Sequence, residues 1–224
     1  MTGFSNKPKI LKGAFVEHGL SNPPLVVAFQ FNPESISRDR TNTFSAPGET
    51  KTSAGLYQWH QKYNDLSSLK DQQVVEFGSE TISFDIRLDA TDKLDEGDPI
   101  AQQYGIAPQM STLELMMEPQ TGQLAILQLI GAEQGYTFSG KEKPPMILFV
   151  WGRKKVLPVN LTSIKVKEEE FSTDLNPIRA TIGVSLTVIE GPNLPYQYTK
   201  AMRETLSGLN LAHSAEVAEV IIPR

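Results

Sequence analysis

Apolar and polar side chains alternate over residues 81–88 and again over 180–189. Strict alternation predicts strands that turn one face towards a core, here within 74–88 and 179–190. Two of the predicted strands run to about ten residues, longer than the usual five or six. The side chains that this pattern assigns to the core of the sheet are Ile82, Phe84, Ile86, Ile182, Val184 and Leu186.

Further strands are predicted from short apolar runs between turn-forming residues. Residues 9–17 and 25–32 form the first two, and Asn32-Pro33 ends the second because proline removes a donor from the ladder. The continuous apolar run 146–151 predicts a fully buried strand. Residues 156–167 are expected to pair with 179–190 as a long hairpin.

Helical spacing is confined to two regions of the chain. In the first, 105–135, Ser111-Thr-Leu-Glu114 has the spacing of a capping box, which predicts that a helix begins there. The apolar stripes of this region are Leu113, Met116 and Met117, which would pack a helix onto the sheet, and Leu124, Leu127 and Ile130 in a second short helix. Residues 197–211 predict a last amphipathic helix.

Two polar stretches show no sustained period. Residues 41–73 predict an extended loop, either an excursion that orders against a partner or an unrecognised hairpin, and residues 89–99 predict an acidic loop. The fold class is therefore mainly β with helix (α+β): a two-sheet β-sandwich or open barrel with a packed helix, plus a C-terminal helix. Residues 1–191 would form the β domain, and 192–224 the C-terminal helix and tail.

Charge and composition narrow the function classes. The formal net charge of −5 argues against a dedicated nucleic-acid binder, which usually carries a basic domain. Because the chain has no cysteine, disulfides, thiolate metal sites and a cysteine nucleophile are excluded, and a reducing cytoplasm is the expected compartment. No apolar run is long enough for a membrane span, and the N-terminus lacks the apolar stretch of a secretory signal.

Side chains that could hold a metal are sparse. The three histidines are isolated from one another in sequence: His18, His60 and His213. Counted from Asp89, the acidic loop places Leu94 and Ile100 at the sixth and twelfth positions of a calcium loop, where glycine and glutamate are needed. We therefore expect neither a metal nor another cofactor.

Catalytic motifs are also missing from the sequence, which has no nucleophile elbow and no phosphate-binding glycine loop. The run Glu168-Glu169-Glu170 would point alternately on a strand, which favours a charged hairpin end over paired catalytic carboxylates. The basic run Arg153-Lys154-Lys155 follows a turn and suits a solvated turn or a rim contact. We expect a protein that is not an enzyme, with a hydrolase that uses dispersed carboxylates as an alternative.

The polar faces of the best strands carry small uncharged side chains. Thr181, Gly183, Ser185 and Thr187 form one such face, and Thr81 and Ser83 begin another. Small faces suit close contact with another wall or the lining of a channel. An ordinary exposed sheet, rich in β-forming threonine, is the alternative.

Three segments together resemble a known family. They are Phe29-Gln-Phe-Asn-Pro-Glu-Ser-Ile-Ser-Arg38, Gly105-Ile-Ala-Pro-Gln-Met-Ser-Thr-Leu-Glu-Leu115, and Pro144-Pro-Met-Ile-Leu-Phe-Val-Trp-Gly152 followed by Glu168-Glu-Glu-Phe-Ser-Thr-Asp-Leu-Asn-Pro-Ile-Arg-Ala180. In this order they are similar to the tube-associated protein of contractile injection systems, the phage-tail-like machines that fire a rigid inner tube. The resemblance covers roughly residues 8–191.

The resemblance implies a tail-tube-like domain that forms a hexameric ring with a central channel at the baseplate. Its partners would be other copies of the chain, the inner-tube protein, the spike protein and baseplate components, assembled into an injection particle. Asn32-Pro33 and Asn176-Pro177 would mark turns where strands leave the shared wall. Arg179 would either pair with an acidic group of a neighbour or be an ordinary exposed hairpin arginine.

The loop at 41–73 is the candidate for subunit or partner contact, through the aromatic residues Tyr57, Trp59 and Tyr63. An alternative from another class is a carbohydrate- or peptidoglycan-binding β-domain in which these rings form a stacking platform. Longer members of the family continue into a LysM module. Only about thirty residues follow Gly191 here, so the chain resembles a member without that module.

Overall fold

The computed structural model describes residues 11–19, 24–47, 53–118 and 143–210. The strands in these ranges are β1 (Ala14–Glu17), β2 (Val26–Ala28), β3 (Ser37–Asp39), β4 (Asn42–Ser45), β5 (Val74–Phe77), β6 (Thr81–Asp89), β7 (Ile147–Trp151), β8 (Lys155–Phe171) and β9 (Pro177–Val188). The helices are α1 (Ser53–His60), α2 (Leu66–Gln72), α3 (Thr91–Asp95), α4 (Pro99–Tyr104), α5 (Ala107–Leu115) and α6 (Leu194–Asn210).

Seven strands form one curled antiparallel sheet, a half-barrel with the strand order β2-β1-β7-β8-β9-β6-β3. A second, small sheet consists of β4 and β5 alone. The mainly β class with packed helices and a C-terminal helix, predicted from the alternating pattern, is confirmed. The long hairpin is also present: β8 extends beyond both predicted bounds, whereas β9 begins at Pro177 and ends at Val188, before the predicted end at residue 190.

The core lies on the concave side of the half-barrel. Four phenylalanines meet there, and Phe15 and Phe29 are the closest pair, with ring centroids 5.1 Å apart. All six side chains that alternation assigned to the sheet core are buried in this cluster, namely Ile82, Phe84, Ile86, Ile182, Val184 and Leu186. Leu113 of α5 and Met116, the residue after that helix, are buried in the same core cluster, while Met117 is partly exposed.

The segment 74–88 forms two strands instead of the single predicted one. Gly78 marks the break, because its N–H donates to the Thr41 carbonyl at 2.8 Å and the backbones approach closely. A Cβ at Gly78 would lie 2.5 Å from that oxygen. The chain therefore leaves the small sheet at this glycine and enters the large one at Thr81.

The prediction of an acidic loop at 89–99 was wrong, because the segment contains α3 and leads into α4. Its carboxylates bond to helix starts: Asp98 accepts from the Ala101 N–H at 2.8 Å, and Asp89 accepts from the Thr91 N–H at 2.9 Å. Acidic residues at these positions satisfy backbone donors that a helix leaves unpaired.

The start of α5 also differs from the prediction. The capping-box spacing placed the helix start at Ser111, but α5 begins at Ala107, with Pro108 in its first turn, so Ser111 lies inside the helix. Proline is well suited to the first turn, where its missing N–H is not needed. The predicted helix with Leu124, Leu127 and Ile130 lies outside the described residues.

The stretch 41–73 is not an irregular loop throughout. It holds β4, α1 and α2, and the Asp65 carboxylate caps α2 by accepting from the Ser68 N–H at 2.9 Å. Because β4 pairs with β5, the stretch is the long connection of a two-stranded ribbon. Helices of seven or eight residues are too short to show a hydrophobic period.

Strands β7 and β2 differ from the prediction, whereas the last helix agrees with it. The run 146–151 was expected to be buried on both faces, but along β7 only Ile147 and Phe149 are fully buried. The predicted strand 25–32 is reduced to β2. The predicted helix at 197–211 is confirmed as α6, which packs on β8.

A candidate assembly interface

Four neighbouring strands, β3, β6, β9 and β8, present a polar face of small side chains on the convex side of the sheet. A row of serines crosses all four strands in register, and its members are Ser37, Ser83, Ser185 and Ser163. The next row places Gly183 between Asp85 and Lys165. The short side chains of the serine row, and the glycine next to it, allow another surface to approach the backbone closely.

Among the described residues, one edge of the long strand β8 has no neighbouring strand over most of its length. β7 pairs with β8 only along Lys155–Val159. From Asn160 to Phe171, no strand of the described part of the chain lies beside that edge. A long unpaired edge exposes backbone donors and acceptors that can pair with a strand from another chain.

The opposite side of the sheet has a short edge strand. β3 covers only Thr81–Ser83 of β6. Beyond that point the side chain of Gln30 takes the place of a strand: its amide nitrogen donates to the Asp89 carbonyl at 2.6 Å, and its oxygen accepts from the Asp89 N–H at 2.8 Å. One side-chain amide thus satisfies both backbone groups of the last residue of β6.

Asn32 acts in the same way near β1. Its side-chain oxygen accepts from the Gly13 N–H at 3.0 Å, and its nitrogen donates to the Leu11 carbonyl at 2.8 Å. After Ala28, the Phe29 N–H still donates to the Gly13 carbonyl at 2.8 Å, and the side chains of Gln30 and Asn32 then hold the chain. Gln30 connects the two margins of the half-barrel, because it follows β2 and bonds to the end of β6.

A buried carboxylate joins several elements at the end of the sheet where β6 begins. Glu80 is only 2% exposed and accepts hydrogen bonds from Arg38 Nε at 2.6 Å and Arg203 Nη2 at 2.9 Å. Arg40 Nη2 lies 3.5 Å from the same carboxylate. One side chain therefore ties β3, the turn after β3 and α6 to the sheet.

Burial alone would raise the pKa of Glu80, but the hydrogen bonds and charges of Arg203 and Arg38 outweigh it, so the pKa lies below its usual value. Lys155 lies close to the same arginines. Burial, together with repulsion from Arg38 and Arg203, lowers the pKa of Lys155. Arg38 and Arg203 thus act on both groups: they favour the charged form of Glu80 and, beside burial, disfavour the charged form of Lys155.

Glu190 extends this network to the beginning of α6. It forms an ion pair with Arg40, accepts from the Tyr196 hydroxyl at 3.0 Å and accepts from the Glu80 N–H at 3.2 Å. The hydrogen bond with Tyr196 and the charge of Glu190 raise the pKa of Arg40 above its usual value. The C-terminal helix is thus fixed to the sheet by charge as well as by packing.

The other end of the sheet carries Arg179, which was a candidate for contact with a neighbour. Its guanidinium donates to Asp89 at 2.8 Å and to Glu170 at 2.7 Å, both within the chain. Burial opposes the shift, but bonds from Thr91 and Arg179 hold the pKa of Asp89 below its usual value. A neighbour's carboxylate would have to compete with these two partners.

The three aromatic candidates for partner contact differ in exposure. Trp59 is only 8% exposed and lies against Tyr63, with ring centroids 5.0 Å apart. Tyr57 is 67% exposed, and the Tyr63 hydroxyl donates to Gln72. Because the face of Trp59 is covered, the three rings do not form one exposed stacking platform.

Several other exposed apolar side chains lie on the long hairpin and on the small sheet. Val166, Phe171 and Leu175 are exposed along β8 and at the tip of the long hairpin, and Phe44 and Phe77 on the small sheet.

In the described ranges, no three His, Cys, Asp or Glu side chains lie close enough to hold a metal ion. None of the helices described is long and apolar enough to cross a membrane.

A curled antiparallel sheet with a long free edge is typical of β proteins that assemble through their strands. A family model described as contractile injection system tube protein matches residues 14–194, from β1 to the beginning of α6. The chain belongs to this family of contractile injection system tube proteins. None of the curated proteins compared with it matches the chain.

Proposed function

We propose that this chain forms a hexameric ring that joins the inner tube of a contractile injection system to its spike protein and baseplate. The observation that carries the proposal is the edge of β8 from Asn160 to Phe171, which no strand of the described residues pairs with, on a chain of the tube protein family. A closed ring pairs such an edge with the opposite margin of the next copy and leaves no edge exposed.

The two ends of the sheet differ in chemistry, as an adaptor between two partners requires. One end has Arg38, Arg40, Arg203 and Lys155 around Glu80 and Glu190, with an excess of positive charge. The other end has the acidic hairpin tip 168–174 with exposed apolar side chains. A ring with all copies pointing the same way would present a basic face to one partner and an acidic face to the other.

In this function the chain works by binding and makes or breaks no bond. The ring would template the first layer of the inner tube and hold the spike protein at its other face. The exposed β4–β5 ribbon, with Phe44 and Phe77, together with Tyr57 of α1, is the candidate contact with baseplate components.

The proposal is tested by native mass spectrometry of the purified chain and by reconstitution with tube and spike proteins. We expect a six-copy species that captures both partners. Val166→Lys on β8 should reduce the ring fraction, while Val74→Lys, an equally exposed valine on β5, should leave it unchanged. A chain that stays monomeric at every concentration and captures neither partner would contradict the proposal.

A further inference from the structure

A groove of about 420 Å³ runs along the outer edge of β6. The loop 31–35 forms one wall, with Phe31, Pro33 and Glu34, and β6 forms the other, with Asp85 and Arg87. The groove lies where β3 has left the edge at Ser83 and before Gln30 bonds to Asp89. It is a gap in the margin of the sheet.

The backbone of β6 turns hydrogen-bonding groups into this gap. Both backbone groups of Asp89 face the outer edge, because Gln30 binds them there. Successive residues of a strand alternate in the edge to which their N–H and C=O point. The N–H and C=O of Asp85 and Arg87 therefore also point outward, and β3 does not reach them. An extended segment from another chain would satisfy all four groups.

The free edge of β8 lies at the same height along the sheet. Across β9, Asp85 is level with Lys165, and Arg87 is level with Lys167. Rotation about a ring axis that runs along the strands keeps each residue at its height. In a ring, β8 of one copy thus arrives level with the groove of the next.

The charges of the two surfaces are complementary at one height, because Asp85 of the groove lies level with Lys165 of β8. Glu34 adds a second carboxylate to the groove, whereas Asp89 is already bound by Arg179, and Arg87 lies level with Lys167, which has the same charge. The facing stretch of β8 carries Lys165 and Lys167 on the polar face of the sheet and the exposed Val166 on the opposite face.

We propose that the groove beside β6 receives residues 163–169 of β8 from the neighbouring copy. This inference rests on the proposed ring and names the contact that closes it. Because β6 and β8 both run antiparallel to β9, and rotation preserves direction, the junction is a parallel strand pair.

Disulfide trapping tests the contact, since the chain has no cysteine of its own. Arg87→Cys is combined with Lys165→Cys or Lys167→Cys. Within one chain β9 separates these positions by two strand spacings, about 9.6 Å, which is too far for a disulfide. We expect oxidised samples to show covalent ladders up to the full ring on a non-reducing gel, and the single-cysteine variants to show none.

Ser37→Cys on β3, combined with the same β8 cysteines, is the matched control. Efficient linkage at position 37 with none at position 87, or no linkage at 87 in rings seen by native mass spectrometry, would overturn the inference and leave the ring standing. Absence of rings from the unmodified chain would instead refute the proposed function. Asp85→Lys and Lys165→Asp should each weaken assembly about two- to fivefold, and mixing the two variants should restore part of the loss.

Discussion

Glu80 shows how one residue can hold distant segments together. Its partners Arg38 and Arg203 are 42 and 123 positions away in the sequence. Removing one member of a buried ionic network leaves the others without compensation, which costs more than the pair contributes to stability. No local pattern marks Glu80, because the sequence around it reads only as the beginning of a strand.

We predict that Glu80→Gln lowers the free energy of unfolding by about 1–3 kcal/mol. The amide keeps the shape of the side chain but removes the charge that Arg38 and Arg203 bind. Urea unfolding at pH 7 measures the change. Glu190→Gln, at a more exposed carboxylate, is the control and should cost less; equal costs would contradict the role of burial.

The lowered pKa of Glu80 also predicts a pH dependence. A carboxylate whose pKa is lower in the folded than in the unfolded chain adds stability above its unfolded pKa, about 4.3, and loses it as the pH falls through the folded value. The stability difference between the unmodified chain and Glu80→Gln should therefore be constant from pH 7 to about 5 and shrink below about 4.3. Urea midpoints across this range test it, and a difference that grows in acid would contradict it.

Gly105 is a second residue that its neighbours constrain. Its φ is +56°, and a Cβ there would lie 2.1 Å from the Pro177 carbonyl oxygen. Gly105→Ala should therefore cost about 2–4 kcal/mol. Gly208→Ala in α6 is the control, because its Cβ would meet nothing within 4 Å and alanine favours a helix. Thermal unfolding measures the stability of both variants, and an equal loss in the two would contradict the prediction.

At the scale of elements, periodicity predicted the long strands and missed the short pieces. Ile82 and its alternating neighbours show a clear period over β6, as the apolar residues of β9 do. β3 has three residues, too few for any period, and β2, equally short, was predicted only as part of the longer apolar run 25–32. The helix α3 has five residues and is acidic, so it was read as a loop.

The candidate interface was predictable only in part. The small polar faces of β6 and β9 were visible as alternating Ser, Thr and Gly. The hydrogen bonds by which the side chains of Gln30 and Asn32 replace a neighbouring strand could not be predicted. A side-chain amide can bond to almost any backbone group, and the sequence does not say which one the fold brings close. Long-range pairs of this kind need the tertiary arrangement.

The docking of α6 depends on one buried hydroxyl. Thr199 accepts from the Val156 N–H at 3.0 Å and donates to its carbonyl at 2.7 Å. We predict that Thr199→Val lowers the free energy of unfolding by about 1–3 kcal/mol, because both backbone groups lose their partner. The same change at the exposed Thr205 should stay within about 0.5 kcal/mol. Equal effects in chemical denaturation would contradict this docking role.

At the scale of the whole molecule, the half-barrel has a fully buried core, but in the described part of the chain one strand edge of its sheet lacks a partner. The concave side buries its apolar residues internally, whereas the edge of β8 beyond Val159 has no partner strand in the described part of the chain. In the proposed ring, folding and assembly would use different groups: side chains would stabilise the monomer, and backbone edges would pair with the neighbours.

Hydrogen exchange should separate these two sets of groups. In the dissociated chain, about half of the amides of 160–171 should exchange rapidly, because alternate N–H groups of β8 point away from β9. On ring formation these amides should become protected, while those of β9, paired on both sides by β8 and β6, should be slow in both states. Mass spectrometry of peptides from both strands makes the comparison internal to one sample. If the β8 peptides exchange equally fast in the ring and in the free chain, then β8 is not the edge that assembly uses.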